Sequence, residues 1–366
     1  MFDRRLLQNF DWGLLGITLI LCTTGLLILY SAVSTDDSQN LISIFYKQVA
    51  WHGIGIFLMI LMFVFSYKSL DKWASAIYFL SVLLLVCVLL FGRQAGGSTR
   101  WLVIGPFTFQ PSEMVKIAVI IMLARYFAKT VKQNGIGFRE LLIPMGLTII
   151  PFFLVLIQPD LGTAGTIVLI AASMALFAKI ERRTLICFIL IAIIAIPIGW
   201  KLLYPYQRER VLTLLSPEKD PLGAGYHIRQ SKIAVGSGLI LGKGYMKGTQ
   251  KKLSFLPEQH TDFIFSVLSE EWGFAGSLFL IFLFVVLMVF GLNIAHGCRD
   301  SFGAILCVGV TVMIFWQVFI NMGMVTGIMP VVGMPLPLIS YGGSSVITLL
   351  IGIGILMNVS MRRYLN

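Results

Sequence analysis

Charge is what this chain has least of. Only 12% of its 366 residues are charged, whereas a soluble chain carries about 25%. Hydrophobic residues make up 57%, against about 45–50% in soluble proteins. A soluble core cannot absorb that excess, but a bilayer can. No CxxC or HExxH pattern occurs, which removes the common dithiol and zinc-protease chemistries. Cys22, Cys87, Cys187 and Cys307 sit inside apolar runs, and Cys298 lies outside them but in no long loop. They read as small core hydrophobes rather than a disulfide framework or metal site. A cleavable leader is not evident: the run from Trp12 to Tyr30, behind Arg4 and Arg5, is long enough to span and lacks a small-residue cleavage site. The glycine-rich stretch Gly236–Gly244 follows no strand and matches no Walker loop. The net charge of +11 invites a nucleic-acid partner, but its distribution argues for a membrane and no nucleic acid.

A hydrocarbon core of about 30 Å takes about 20 apolar residues as helix. Runs of that kind fall near 12–33, 49–66, 74–91, 114–128, 141–157, 163–179, 184–203, 263–292, 302–322 and 344–361. The expectation is an all-α polytopic membrane protein of about ten transmembrane helices. With the N-terminus inside, the inner segments carry Arg4 and Arg5, Lys68 and Lys72, Arg125 to Arg139, Lys179 to Arg183, Arg299, and Arg362 with Arg363. Short outer loops hold few cations. This alternation follows the positive-inside rule at each crossing and puts both termini in the cytoplasm.

One outer segment is long. Residues 204–262, between the seventh and eighth spans, are strongly basic, and long loops cross regardless of charge. Such a loop suits an anionic group such as a pyrophosphate, and is equally compatible with plain solvation. Within it, Tyr226 to Val235 has helical spacing and reads as an amphipathic helix on the membrane surface.

Polar groups at membrane depth are costly and by default mark function. Four clusters qualify, all on the outer side. In the first, Arg100 precedes Gln110-Pro111-Ser112-Glu113, with Lys116 one turn on. Ser112 is a natural N-cap for the fourth helix, and Glu113 can pair with Lys116. This is either a cap with an ion pair that fixes packing, or a binding site in which Arg100 and Lys116 take an anion. In the second, Gln158-Pro159-Asp160 ends one helix, and Asp160 can cap the next. Capping alone explains it, although a carboxylate at this height also suits a divalent cation or a sugar hydroxyl. In the third, Thr261 and Asp262 open the eighth span. Asp262, Ser266, Ser269 or Glu270, and Gly273 form a polar side of the helix. Capping by Thr261 or Asp262 does not account for Glu270 and Glu271 deeper in. In the fourth, Gly333 to Ser345 holds Ser340 and Tyr341 among glycines and prolines. It offers hydroxyls and backbone N–H groups, or is a tight turn before the tenth span.

Together these strings resemble the SEDS family (shape, elongation, division, sporulation). The carrying residues are Arg100-Trp101-Leu102, Gln110 to Glu113, Gln158 to Gly162, Leu256 to Phe263 with its His260-Thr261-Asp262 core, and Pro335 to Ser344. The likeness covers nearly the whole chain as one domain, residues 1–366. The run Gly242 to Gln250, leading into Leu253 to His260, looks more like the elongation branch. The resemblance implies a peptidoglycan glycosyltransferase that polymerises lipid II at the outer face of the bacterial inner membrane, beside a class B penicillin-binding protein.

By similarity, Asp262 matches the family's essential aspartate. An inverting displacement needs one base, and an ordinary aspartate (pKa about 3.9) can accept the sugar hydroxyl proton as the bond forms. Arg100, Lys116, Arg208 and Arg210 are candidates to stabilise the departing pyrophosphate, with Glu113, Asp160, His260, Ser340 and Tyr341 completing the substrate site. No ligand spacing demands a metal. Asp160 and Glu113 are the carboxylates placed to hold magnesium or manganese if the chemistry uses one. A lipid II flippase, a division or sporulation paralogue, another lipid-linked sugar transferase and a scaffold for the penicillin-binding protein stay open from the residues alone.

Overall fold

The computed structural model describes residues 9–34, 39–95, 98–104, 107–130, 135–202, 208–209, 212–214, 224–249 and 260–363. Its main helices are α1 (Trp12–Val33), α2 (Gln39–Val64), α3 (Tyr67–Phe91), α4 (Pro111–Thr130), α5 (Phe138–Ile157) and α6 (Leu161–Phe177). They continue with α7 (Arg182–Leu202), α8 (Ala224–Ser237), α9 (Ile264–Gly297), α10 (Ser301–Val325) and α11 (Gly343–Arg362). Each of the ten apolar runs lies on one of these helices. By length and composition, seven can cross a membrane: α1, α2 over Ile42–Val64, α3, α5, α9, α10 and α11. Of the other three, α4 takes Glu113 and Lys116 into its first turns, and α6 has only 17 residues.

The bundle is built around α11, 94% of whose apolar window is buried, against 22% for α2 and α3. Outer helices turn side chains such as Phe57, Phe79, Phe91 and Phe282 outward, as a protein solvated by lipid requires. Close packing of α2 on α11 depends on Gly354, where a Cβ would stand 2.9 Å from the Met59 carbonyl.

One part of the chain is not helical. β1 (Arg93–Ala95), β2 (Ser98–Ile104) and β3 (Phe107–Phe109) form an antiparallel meander in the order β1-β2-β3. Arg93 pairs with Trp101, and Leu102 with Phe109. The all-α expectation placed no strands between the third and fourth spans. Strands this short give too little alternation to register against the glycines beside them.

The amphipathic helix expected in the long loop is α8, which buries Ile228, Ser231 and Ala234 along one face and packs that face on α9. Ser231 Oγ donates to the Val325 carbonyl at 2.7 Å and shares a hydrogen bond with Ser266 Oγ at 2.8 Å. Hydroxyls at such a seam act as glue between helices.

α9 is not one continuous helix, because Gly273 (φ 65°, ψ −161°) breaks it. The break strips backbone groups of their helical partners, which lipid cannot replace. The turn after α8 replaces them. Lys243 N donates to Glu270 O (3.0 Å), and Gly244 N to Glu271 O (2.9 Å). In return Phe274 N donates to Leu239 O (2.8 Å), and Ala275 N to Ile240 O (3.0 Å). Gly238 and Gly242 let the two backbones meet: a Cβ would lie 1.9 Å from Ser269 O at the first and 2.2 Å from Glu271 O at the second.

Candidate active site

Four sequence clusters separated by up to 240 residues meet at one end of the bundle. Their contacts are those of the start of α4, the α5–α6 turn, the start of α9, and the segment between α10 and α11.

The first two clusters join through Asp160. It caps α6, accepting from Thr163 N (3.2 Å) on Oδ1 and from Thr163 Oγ1 (3.0 Å) on Oδ2. Gln110 Nε2 reaches the same Oδ2 at 3.3 Å. Arg100 comes from β2, with Nη1 3.8 Å from Asp160 Oδ1 and Nε donating to Gln158 O at 3.4 Å. A further guanidinium donor meets the Pro159 carbonyl. Arg100 thus ties the sheet to the α5–α6 turn, with 19% of its side chain still exposed.

α4 begins with Pro111 at its first position, where the missing N–H costs nothing. Ser112 therefore lies inside the first turn and accepts from Gln110 Nε2 (3.0 Å), so it is not the N-cap expected from its position. Glu113 Oε1 accepts from Lys116 Nζ at 2.9 Å, and both residues are buried. Glu113 Oε2 is buried with no hydrogen-bond partner among the described residues. Lys116 is thus sealed from solvent, with its charge paired to Glu113.

The third and fourth clusters meet around residue 262. α9 starts after Phe263, which makes no side-chain cap, so neither Thr261 nor Asp262 is the N-cap. Instead, three successive carbonyls are tied down. His260 O accepts from Tyr341 N (2.9 Å), Thr261 O from Ser340 Oγ (2.6 Å), and Asp262 O from Asn321 Nδ2 (3.0 Å). Ser340 Oγ also accepts from Leu336 N (2.8 Å), and Asn321 Nδ2 donates to Met334 O (2.7 Å). Asp262 is half-buried, and its Oδ2 would lie 3.4 Å from a Cβ at Gly333. The rings of His260 and Tyr341 are 6.0 Å apart. Burial raises the Tyr341 phenol above its ordinary range, so it is a neutral hydroxyl at physiological pH.

Contacts also bind these pairs of clusters to each other. Gln110 N donates to Ser344 Oγ at 3.0 Å, and Thr166 Oγ1 lies 3.6 Å from Met334 Sδ. Gly162 packs against Val332, whose carbonyl would be 3.0 Å from an added Cβ.

Two further residues belong to this site. Gln48, fully buried on α2, donates to Ser340 O (3.0 Å) and accepts from Gly342 N (3.2 Å). Asn321 on α10 holds residue 262 directly. Asn321 is a buried amide within the apolar run 302–322 and Gln48 stands one residue before the run 49–66, and a polar side chain at such a depth is the signal that could have found them.

Deeper in α9, the expected polar stripe turns inward in two parts. Ser269 Oγ pairs with Ser277 Oγ (2.9 Å). Glu270 Oε1 accepts from Lys243 Nζ (2.6 Å) and from Thr249 N (2.8 Å), while Glu271 accepts from Ser31 Oγ (2.6 Å).

Arg208 donates to the Lys201 carbonyl near the end of α7, and no described contact brings it to the other clusters. Arg210 lies outside the described residues. No group of three or more His, Cys, Asp or Glu that could hold a metal occurs among the described residues.

The family model for FtsW, RodA and SpoVE cell cycle proteins matches residues 12–365. A peptidoglycan glycosyltransferase of Escherichia coli (strain K12), MrdB, is 41% identical over 97% of this chain and 94% of its own. The peptidoglycan glycosyltransferase RodA of Treponema pallidum (strain Nichols) is 32% identical over 98% and 99% of the two chains. Among solved structures, a chain from a peptidoglycan synthase complex studied for coordination of polymerization and crosslinking superposes with a TM-score of 0.83. That chain is 32% identical, over 98% of this chain and 99% of its own.

Proposed function

The chain belongs to the FtsW, RodA and SpoVE family of cell cycle proteins, and from that premise we propose how its residues act. It is a multi-pass inner-membrane peptidoglycan glycosyltransferase of the elongation type, working beside a class B penicillin-binding protein that crosslinks the product. Its substrate is lipid II. The C4 hydroxyl of one lipid-linked disaccharide attacks the anomeric carbon of another. The bond from that carbon to the pyrophosphate oxygen breaks, its electron pair leaves with undecaprenyl pyrophosphate, and the configuration inverts.

Asp262 is the general base in this proposal. The hydroxyl proton passes to its carboxylate as the new bond forms, a contribution of about 10²–10⁴ in rate. The observation that carries it is the clamp on three consecutive carbonyls, from His260 to Asp262, by Tyr341, Ser340 and Asn321. A base whose backbone is fixed on both sides needs no reorganisation at the moment of transfer. Asp262 is also half-buried rather than sealed, unlike Asp160, Glu113 and Lys116. Arg100 is the cation of the assembled clusters that keeps an exposed part, and it is assigned to the leaving pyrophosphate. Ser340 and Tyr341 belong to the clamp, and His260 lines the same corner. For a divalent ion, if the reaction uses one, the candidate carboxylates are Asp160 and Glu113, whose Oε2 has no hydrogen-bond partner among the described residues.

The site is assigned to the extracytoplasmic side. The helix ends that meet at residue 262 are opposite those bearing Lys68, Lys72, Arg125, Arg299 and Arg362, and the positive-inside rule puts the latter in the cytoplasm. The test is polymerisation of purified lipid II by the reconstituted chain with a class B penicillin-binding protein. Wild type is compared with Asp262→Asn, both first shown to be monodisperse with equal melting temperatures. Glycan from the wild type and none from the variant is expected. Equal product from both would remove Asp262 from the chemistry.

A further inference from the structure

The end of the bundle opposite residue 262 holds a cleft for which polymer chemistry has no use. It has a volume of ≈570 Å³ and lies between the end of α2, the first half of α3 and the end of α11, within the usual 300–1,000 Å³ of ligand sites. Phe65, Ser69, Trp73, Ile77, Leu80 and Ile355 are among its walls, which are almost wholly apolar. Phe65, Trp73 and Leu80 are largely exposed, so the cleft opens sideways to lipid rather than into the bundle. Its lining runs along α3 from Tyr67 to Leu80, about 20 Å of helix at 1.5 Å per residue. One leaflet of hydrocarbon is about 15 Å deep. The trough is therefore as long as one leaflet.

Cations flank one end of it, none of them among its lining residues. Lys68 and Lys72 are exposed, one turn apart on α3, and neither has an acidic partner among the described residues. The acid between them, Asp71, is occupied by Arg125, whose Nε is 3.6 Å from Oδ1. Arg362 adds a third charge. Its Nη1 donates to Oδ1 of Asn358, a cleft residue, at 2.7 Å, and its Nη2 to Phe63 O at 2.9 Å. Both partners are neutral. Topology alone explains basic residues at this end of the helices, but not a leaflet-long apolar trough leading away from them.

We propose that the cleft binds an acyl chain of an anionic glycerophospholipid, with its phosphate held by Lys68, Lys72 and Arg362. The apolar walls account for the chain, and the cations without an acidic partner among the described residues account for the headgroup. A neutral phospholipid satisfies only the first of these requirements. The site is independent of the glycosyltransferase assignment.

The experiment is native mass spectrometry of the full-length protein after equilibration with equal amounts of phosphatidylglycerol and phosphatidylcholine. Two variants are compared: Lys68→Gln with Lys72→Gln, and Ala76→Trp, which fills the cleft. Each is first shown to match the wild-type melting temperature. Wild type is expected to retain phosphatidylglycerol with a preference of about tenfold or more, given the attraction of each surface cation for anionic lipid. The lysine variant is expected to lose most of that preference while retaining some lipid, and Ala76→Trp to lose both lipids. Equal retention of the two lipids by wild type would overturn the proposal. So would unchanged retention by the lysine variant, or retention of a polyprenyl pyrophosphate in place of phospholipid. If Ala76→Trp does not fold, the lysine variant alone decides.

Discussion

Replacing Gly242 by alanine tests whether the turn after α8 holds α9 open at its break. Two costs add. Gly242 sits at φ +78°, and a non-glycine residue in a rarely populated backbone region costs about 1–3 kcal/mol. The new Cβ would also lie 2.2 Å from Glu271 O, 2.4 Å from Glu271 C and 2.6 Å from Gly273 N. All three are backbone atoms and cannot swing aside as a side-chain tip would. Relief requires the turn to move off α9, which gives up some of the four hydrogen bonds between Leu239–Gly244 and Glu270–Ala275. Leaving even one buried partner unsatisfied costs about 1–3 kcal/mol. The sum is about 2–6 kcal/mol, which reaches the range reserved for severe substitutions. At about 2–3 °C per kcal/mol for a chain of this size, the melting temperature should fall by roughly 4–18 °C. The assay is thermal unfolding in detergent, followed by loss of the monodisperse peak. Gly236→Ala is the control, because nothing lies within 4 Å of its added Cβ and alanine favours the helix. It should match or slightly exceed wild type. If Gly242→Ala melts with Gly236→Ala, the turn is not what satisfies the break in α9.

Other substitutions separate positioning from stability. Asn321→Leu removes the donor to Asp262 O and Met334 O and should lower kcat by about 10–100-fold, as misplacement of a base by about 1 Å does, with KM nearly unchanged. A parallel fall in melting temperature and kcat, cured by cooling, would reduce Asn321 to a packing residue. Lys116→Met alone strands a buried carboxylate and should cost about 3–5 kcal/mol, whereas Lys116→Met with Glu113→Leu should recover most of that stability. Polymerisation assays on the folded double variant then decide the role of the pair: normal activity makes it structural, and abolished activity places it at substrate.

The helices were legible because lipid imposes a coarse rule, about 20 apolar residues per crossing, that composition alone reveals. The convergence of the clusters was partly legible. Asp160 reads as a cap and is one, and Glu113 reads as a partner of Lys116 and is one, because both relations are local to one helix turn. Ser112 was misplaced by two positions, since Pro111 opens the helix, leaves Gln110 at the cap position and moves the serine inside it. What stayed hidden is long-range. Ser269 to Phe274 reads as uninterrupted helix unless one knows that Gly238 and Gly242 lie against it. Gln48 and Asn321 carry no motif in the sequence, and only their partners on the segment before α11 turn them into a clamp.

Two stretches of irregular backbone interrupt the bundle, one at Gly273 and one between α10 and α11. A helix through Gly273 would satisfy its own amides and carbonyls at no cost, and so would a helical link from α10 to α11. The chain instead spends four hydrogen bonds between the turn after α8 and α9, and further ones from Gln48, Asn321 and Ser340. In lipid each unmade bond costs several kcal/mol, so this arrangement persists only where every orphaned group finds a partner. The link between α10 and α11 bears Ser340 and Tyr341, which grip the carbonyls before Asp262. α9, with its break, carries that aspartate at its entrance. Stability alone favours two straight helices. The link between α10 and α11 is the interruption that fixes the half-buried Asp262, while the break at Gly273 is held by the turn after α8.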